Sequence, residues 1–221
     1  MTPVRKRPRH AAKRRPDPTK RARPAGQPAG AGARDDTEIM ALDLKPGKLS
    51  PAMKAYFKLC REKLGFVPNV LKAFSFDNAK LEAFVAYRND LMQAESGLSK
   101  LEREMIATVV SAQNRCYYCI TAHGASVRYL SGDPVLGELM VMNYRAARLN
   151  KRQRAMLDFA VKLTVESWTV EEADRERLRR VGFSDRDIWD IAAVAAFYNM
   201  TNRLASATDM RPNSQYHAQG R

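Results

Sequence analysis

Cysteine is scarce, with three residues in 221. An odd number cannot all pair within one chain, which argues against a secreted disulfide framework and for a reducing compartment, with the cytoplasm as the expected location. Two of the three, Cys116 and Cys119, stand three positions apart, a spacing suited to redox or metal chemistry. No run of about 18 apolar residues occurs, and the most apolar stretch, residues 191–200, is short and flanked by Asp190 and Arg203. A membrane span is therefore not expected. Basic residues Arg5, Lys6, Arg7 and Arg9 open the chain, but no apolar segment follows them as export by a signal peptide would require. Aromatic residues are absent from the first 36 positions.

What the chain has in excess is positive charge, 38 Lys and Arg against 24 Asp and Glu, for a formal net of +14. Residues 1–36 alone contribute eleven Lys or Arg and three Asp, a net of +8, together with six of the eleven prolines. Such a segment cannot bury a core. It reads as a basic Pro/Gly-rich arm: a solvated tail, a tether for nucleic acid or an anionic surface, or a segment upstream of a true start at Met40. Residues 37–221 carry every aromatic residue and are long enough to form one globular domain.

From Leu49 onward the periodicity is helical, with almost no strand-like alternation, so the expected class is all-α. Ser50-Pro51 opens a helix with a cap and a first-turn proline, and Met53, Tyr56, Phe57 and Cys60 recur along one face. Gly65 ends it. Val67-Pro68-Asn69 starts a short segment, Asp77 caps a helix through Met92, and Ser99 with Glu102 forms a capping box. Further helices are expected over 151–167, 170–180 and 184–207. Residues 106–110 with Asn114 echo residues 191–195 with Asn199 at an offset of 85, hinting at an internal helix-pair repeat. Only the first copy carries Cys119 and His123; Leu204 and Thr208 stand at those places in the second.

The segment that carries chemistry is residues 104–124, in which Cys116-x-x-Cys119 is followed by His123. On a helix beginning near Cys116, Cys119 and His123 are related by i, i+4 and Cys116 and His123 by i, i+7, so the three share a face. First-turn thiols meet free backbone N–H groups and the positive end of the helix dipole, which favours thiolate, and His123 can exchange a proton near neutral pH. Glu104 joins them if helix 99–113 turns back near Asn114-Arg115, because residues equidistant from a turn at 113–114 lie side by side. One unbroken helix would instead hold Glu104 and Cys116 about 18 Å apart. A Cys-x-x-Cys could equally be half of a zinc site, with Cys60 and His123 completing four ligands, although zinc-ribbon and finger spacings are absent. Cys60 by itself reads as core filling, and Trp168 and Trp189 as packing residues.

Glu104 followed by Cys116-x-Tyr118-Cys119-x-x-x-His123 resembles the core of the alkylhydroperoxidase AhpD family, within the carboxymuconolactone decarboxylase-like superfamily. The peroxidase-related branch is the closer match, through residues 63–69, 115–119, 157–163 and 197–205. The resemblance runs from about residue 50 to the C-terminus. It implies an all-helical, homo-oligomeric protein that reduces hydroperoxides through a dithiol/disulfide cycle, without flavin, haem or metal cofactor. Carried over by position, Cys119 is the attacking thiolate, Cys116 the resolving thiol, and Glu104 and His123 the proton relay. Tyr118 departs from the pattern, standing where the best-studied AhpD proteins have a second histidine, though its hydroxyl can still hydrogen-bond. An external dithiol, a thioredoxin-like protein or a lipoyl-type reductant would reopen the disulfide. The competing readings are a non-redox enzyme of the decarboxylase kind and a nucleic-acid-binding oligomer acting through residues 1–36. Arg203, Asn199 and Asn202 are candidates for lining a pocket or a subunit interface.

Overall fold

The computed structural model describes residues 38–221, and the basic arm lies outside the described residues. Among the described residues nine α-helices follow one another: α1 Pro51–Leu64, α2 Asn69–Phe74, α3 Asn78–Gln93, α4 Lys100–Gln113, α5 Tyr117–Ser131, α6 Pro134–Met142, α7 Lys151–Val165, α8 Glu172–Arg180 and α9 Asp185–Ala207. Short 3₁₀ turns lie at Tyr144–Ala146, Ser167–Thr169 and Ser214–His217. No strand occurs among the described residues, and the all-α class is observed. No described helix is long and apolar enough to cross a membrane.

Helix boundaries follow the capping chemistry in the sequence. Ser50 Oγ accepts from Met53 N, and Gly65 closes α1 at φ +81°. Ser99 Oγ accepts from Glu102 N while Glu102 Oε2 accepts from Ser99 N (3.1 and 2.8 Å), so two otherwise orphaned donors are satisfied at the head of α4. Ser184 and Asp187 repeat the arrangement at the head of α9.

Helix α4 is the centre of the molecule, buried continuously from Glu102 to Ser111 and packed against α5, α6, α7 and α9. Its buried Arg103 forms no ion pair among the described residues; instead its guanidinium donates to the carbonyls of Leu98, Leu91 and Ala94 (3.2, 3.3 and 2.7 Å), tying the end of α3 and the following loop to α4. The main core joins α4, α7 and α9 through Ile106, Val110, Leu157, Ile191 and Val194. A second cluster surrounds Cys116 and Cys119, and a third lies among α1, α2 and α3.

The sequence echo falls on α4 and α9, which pack against each other, with Asn114 Nδ2 donating to Asn199 Oδ1 at 3.0 Å. The hairpin that follows α4 has no counterpart in α9. Arg115 takes a left-handed φ of +53° and breaks the first copy, whereas the corresponding Met200 continues a 23-residue helix. The tryptophans, expected to pack, are instead 81% and 71% exposed at Trp168 and Trp189. Trp168 sits on the 3₁₀ turn after α7 and Trp189 on the outer side of α9, where the apolar positions facing α4 are already taken by Ile188 and Ile191.

Candidate active site

The turn between α4 and α5 builds the site. Arg115 N donates to Ala112 O and Cys116 N to Ser111 O (3.1 and 3.0 Å), the paired bonds of a Schellman closure with Arg115 in the left-handed position. That closure ends α4 and leaves Cys116 as the N-cap of α5, with Cys119 at the third helical position and His123 one turn further on. The chain thus reverses over two residues, and α5 returns along α4. Glu104 and His123 meet across the hairpin, with His123 Nδ1 2.6 Å from Glu104 Oε2. A carboxylate only accepts, so His123 Nδ1 carries a proton and donates to Glu104. His123 also packs edge-on to Tyr198 at 4.5 Å between ring centres.

The two thiols are hydrogen-bonded to each other and are driven apart in acidity. Cys116 is pushed down to about 6, first by the Cys119 thiol, then, against its own burial, by the Cys119 backbone N–H, the Ser206 hydroxyl and the His123 charge. Cys119 is pushed well up, by its bond to Cys116, by burial and by the Cys116 charge, while Asn202 and Ser111 pull the other way. The resting negative charge therefore belongs on Cys116, the sulfur assigned by position as the resolving thiol. Access favours the other: Cys119 and His123 line a cavity of about 180 Å³, and Cys116 does not. Both sulfurs are buried, Cys116 at 1% and Cys119 at 4% exposure, so a reductant does not find the pair at the surface.

The cavity is walled by α1, α3, α5, α9 and the C-terminal segment, through residues that include Tyr56, Phe84, Arg88, Phe197, Tyr198 and Tyr216. Asn213 holds that last wall: its side chain accepts from Asn69 N and donates to Val67 O (2.7 and 3.1 Å). Arg128 adds two bonds, to Tyr216 O and Gln219 O (2.8 and 3.0 Å).

Cys116, Cys119, His123 and Glu104 come together in one cluster. Tyr118 lines the same cavity; its hydroxyl accepts from Val70 N at 2.9 Å, and burial raises its pKa. It fastens α5 to α2. Cys60 fills the third core cluster and also lines the cavity, its thiol kept protonated by burial. Among the described residues no group of three His, Cys, Asp or Glu is placed to hold a metal ion. Asn202, almost wholly buried, donates to Ser111 Oγ at 2.9 Å and accepts from Asn114 Nδ2. Arg203 is exposed and donates to Asn199 O and Oδ1; neither it nor Asn199 or Asn202 lines the cavity. Arg88 and Tyr198 were missed by the sequence reading. Their signals were faint: a lone charge four residues after Phe84, and a tyrosine inside a motif otherwise read only as a family mark.

The fold is thus a helical bundle whose central hairpin carries two buried cysteines and a histidine bonded to a carboxylate. The family model described as carboxymuconolactone decarboxylase matches residues 80–130, the segment from α3 to the end of α5. The crystal structure of an uncharacterised peroxidase-related protein from Silicibacter sp. TM1040 shares 62% identity, covering 86% of this chain and 100% of that one with a TM-score of 0.83. A Ralstonia eutropha JMP134 protein described as an alkylhydroperoxidase AhpD core, uncharacterised and peroxidase-related, shares 41% over 83% of this chain and 97% of that one, TM-score 0.79. The debrominase Bmp8 shares the fold at 20% identity, over 80% of this chain and 95% of that one, TM-score 0.67. No curated protein matches. The chain belongs to the AhpD-like peroxidase-related family.

Proposed function

We propose that the protein is a thiol-dependent hydroperoxidase. The observation that carries the reading is the joint presence of Cys119 and His123 on one cavity wall, with Glu104 holding the imidazole and Cys116 bonded to Cys119 behind it. The low acidity of Cys119 in the resting pair is overcome by passing its proton to the Cys116 thiolate along the bond the two already share, so the resolving sulfur serves first as the base. Cys119 thiolate then attacks the terminal peroxide oxygen; the S–O bond forms as the O–O bond breaks, and the departing alkoxide takes a proton relayed by His123. Cys119 is now a sulfenic acid and the peroxide has become an alcohol. Cys116 attacks the sulfenic sulfur and expels water, leaving a disulfide, which an external dithiol reduces by exchange through a mixed disulfide. Burial of the pair suits a reductant that presents its thiols on a slender arm.

Free thiols are to be counted after one equivalent of cumene hydroperoxide or hydrogen peroxide. Wild type is expected to lose two of its three thiols, Cys60 remaining. Cys116→Ser is expected to accumulate a trappable sulfenic acid at Cys119, and Cys119→Ser to keep its thiols. A sulfenic acid on Cys116 in the Cys119→Ser protein would exchange the two roles, and survival of all wild-type thiols would end the hydroperoxidase reading.

A further inference from the structure

Among the polar groups on the cavity over Cys119 and His123 that the thiol cycle does not use, Tyr198 and Arg88 stand apart. Tyr198 Oη is fully buried and is the one buried side-chain polar atom among the described residues that has no hydrogen-bond partner. Its residue is 2% exposed and lines the cavity. Burying a phenol O–H without a partner is unfavourable, and a ligand acceptor would relieve it. Arg88 lines the same cavity. Its guanidinium donates to Asn89 Oδ1 at 3.1 Å and forms no ion pair with any carboxylate of the described residues. The acid whose field it feels, Glu104, is already engaged by His123. Tyr198 and Arg88 are electrostatic neighbours, each acting on the other's ionisation.

The apolar and aromatic part of the lining includes Leu71, Phe84, Ala122 and Phe197. At about 180 Å³ the cavity slightly exceeds the ~150 Å³ space that accommodates benzene in an engineered core. It therefore has room for one ring with a small substituent. Among the described residues Arg88 is the one Lys or Arg on the lining, and a single guanidinium beside the Tyr198 O–H matches a monoanion with two oxygens, since a guanidinium binds a carboxylate through paired N–H donors.

We infer that this cavity binds a small single-ring organic acid, its carboxylate held by Arg88 and Tyr198 and its ring lying among Phe84, Phe197 and Leu71 beside Cys119. The inference rests on the hydroperoxidase reading only for the reacting group: the substrate class would be hydroperoxides carried on such acids. Binding itself requires no redox step.

Benzoate, the near-isosteric but neutral benzamide, and ringless acetate are to be titrated against the reduced full-length protein at neutral pH by calorimetry. Benzoate is expected to bind at least about tenfold more tightly than either comparator, the scale of one charge-assisted hydrogen bond. Arg88→Met should bring benzoate to the level of benzamide, and Tyr198→Phe should weaken benzoate severalfold while leaving benzamide nearly unchanged. Benzoate should also slow peroxide-driven loss of the pair thiols. Equal binding of benzoate and benzamide by wild type overturns the inference whatever the variants do, as does full benzoate affinity in a folded Arg88→Met protein. Failure of the hydroperoxidase reading has a separate signature, in which benzoate binds with the stated preference but peroxide leaves the thiols intact.

Discussion

Cys116 and Cys119 are chemically the same side chain, three residues apart, and one helical turn drives them in opposite directions. The N-cap sulfur receives the Cys119 thiol and backbone N–H, whereas the sulfur at the third position sits next to the charge so created. Removing the Cys119 thiol removes the first of the causes that acidify Cys116. A thiolate absorbance titration of wild type should therefore show a step near pH 6, with thiolate present above it, and in Cys119→Ala, which leaves no donor on that side chain, that step should move upward toward the ordinary thiol value of 9.0. A step that stays near 6 would show that the hydrogen bond from the Cys119 thiol is not its cause. Because folding lowers this pKa, the Cys116 charge stabilises the native state fully above the unfolded value and loses that contribution as pH falls from about 9 through 6. Glu104 acts one residue further out. Glu104→Gln keeps the size but not the charge opposite His123 Nδ1, and the rate of peroxide-driven thiol loss is expected to fall roughly 10- to 100-fold, as for other outer partners that orient a working imidazole. An unchanged rate would remove Glu104 from the relay. This pairing was legible in sequence, because a turn at residues 113–114 and the i, i+4 rule are both local. The Arg88–Tyr198 pair was not, since the two residues, on α3 and α9, are 110 positions apart in the chain and only packing brings them to one cavity.

Among the elements, the α4–α5 hairpin has the most at stake in a single backbone angle. Arg115 holds φ +53°, a region that β-branched residues strongly disfavour. Arg115→Val should cost at least about 1 kcal/mol and lower the melting temperature by a few degrees, while Arg115→Gly, which adopts that angle freely, should not lower it. Equal melting of the Val variant would mean that the closure can be made in another way. A second sensitive contact joins the head of α9 to the loop before α4. A Cβ on Gly97 would run into the Asp187 carboxylate that caps α9, so Gly97→Ala should destabilise by about 1–3 kcal/mol through overpacking, measurable by urea unfolding. The ends of the helices could be read from Ser50, Asp77, Ser99, Ser184 and Gly65 because caps act within four residues. The unbroken run of α9 past Asn199 could be read as well, because neither Gly nor Pro falls within 185–207.

For the whole molecule, the charge divides unequally. Deleting residues 1–36 removes a net of +8 and leaves +6. Since those residues hold no aromatic side chain and cannot contribute a core, the deletion is expected to leave the urea midpoint of the remainder and its peroxide-driven thiol loss unchanged, while any retention on DNA at low salt is lost. A shifted midpoint would show that the arm packs on the domain. Local sequence was sufficient to determine the helical class, most helix ends, the reactive segment and the meeting of Glu104 with His123, all of which depend on interactions between residues near in the chain or mirrored across one turn. Tertiary structure alone decided which sulfur carries the resting charge, that Tyr118 accepts from the Val70 N–H, that Trp168 and Trp189 stay in solvent, and that Arg88 and Tyr198 line a shared cavity. Those outcomes depend on desolvation and on contacts between distant helices, and neither quantity is a property of any short stretch of sequence.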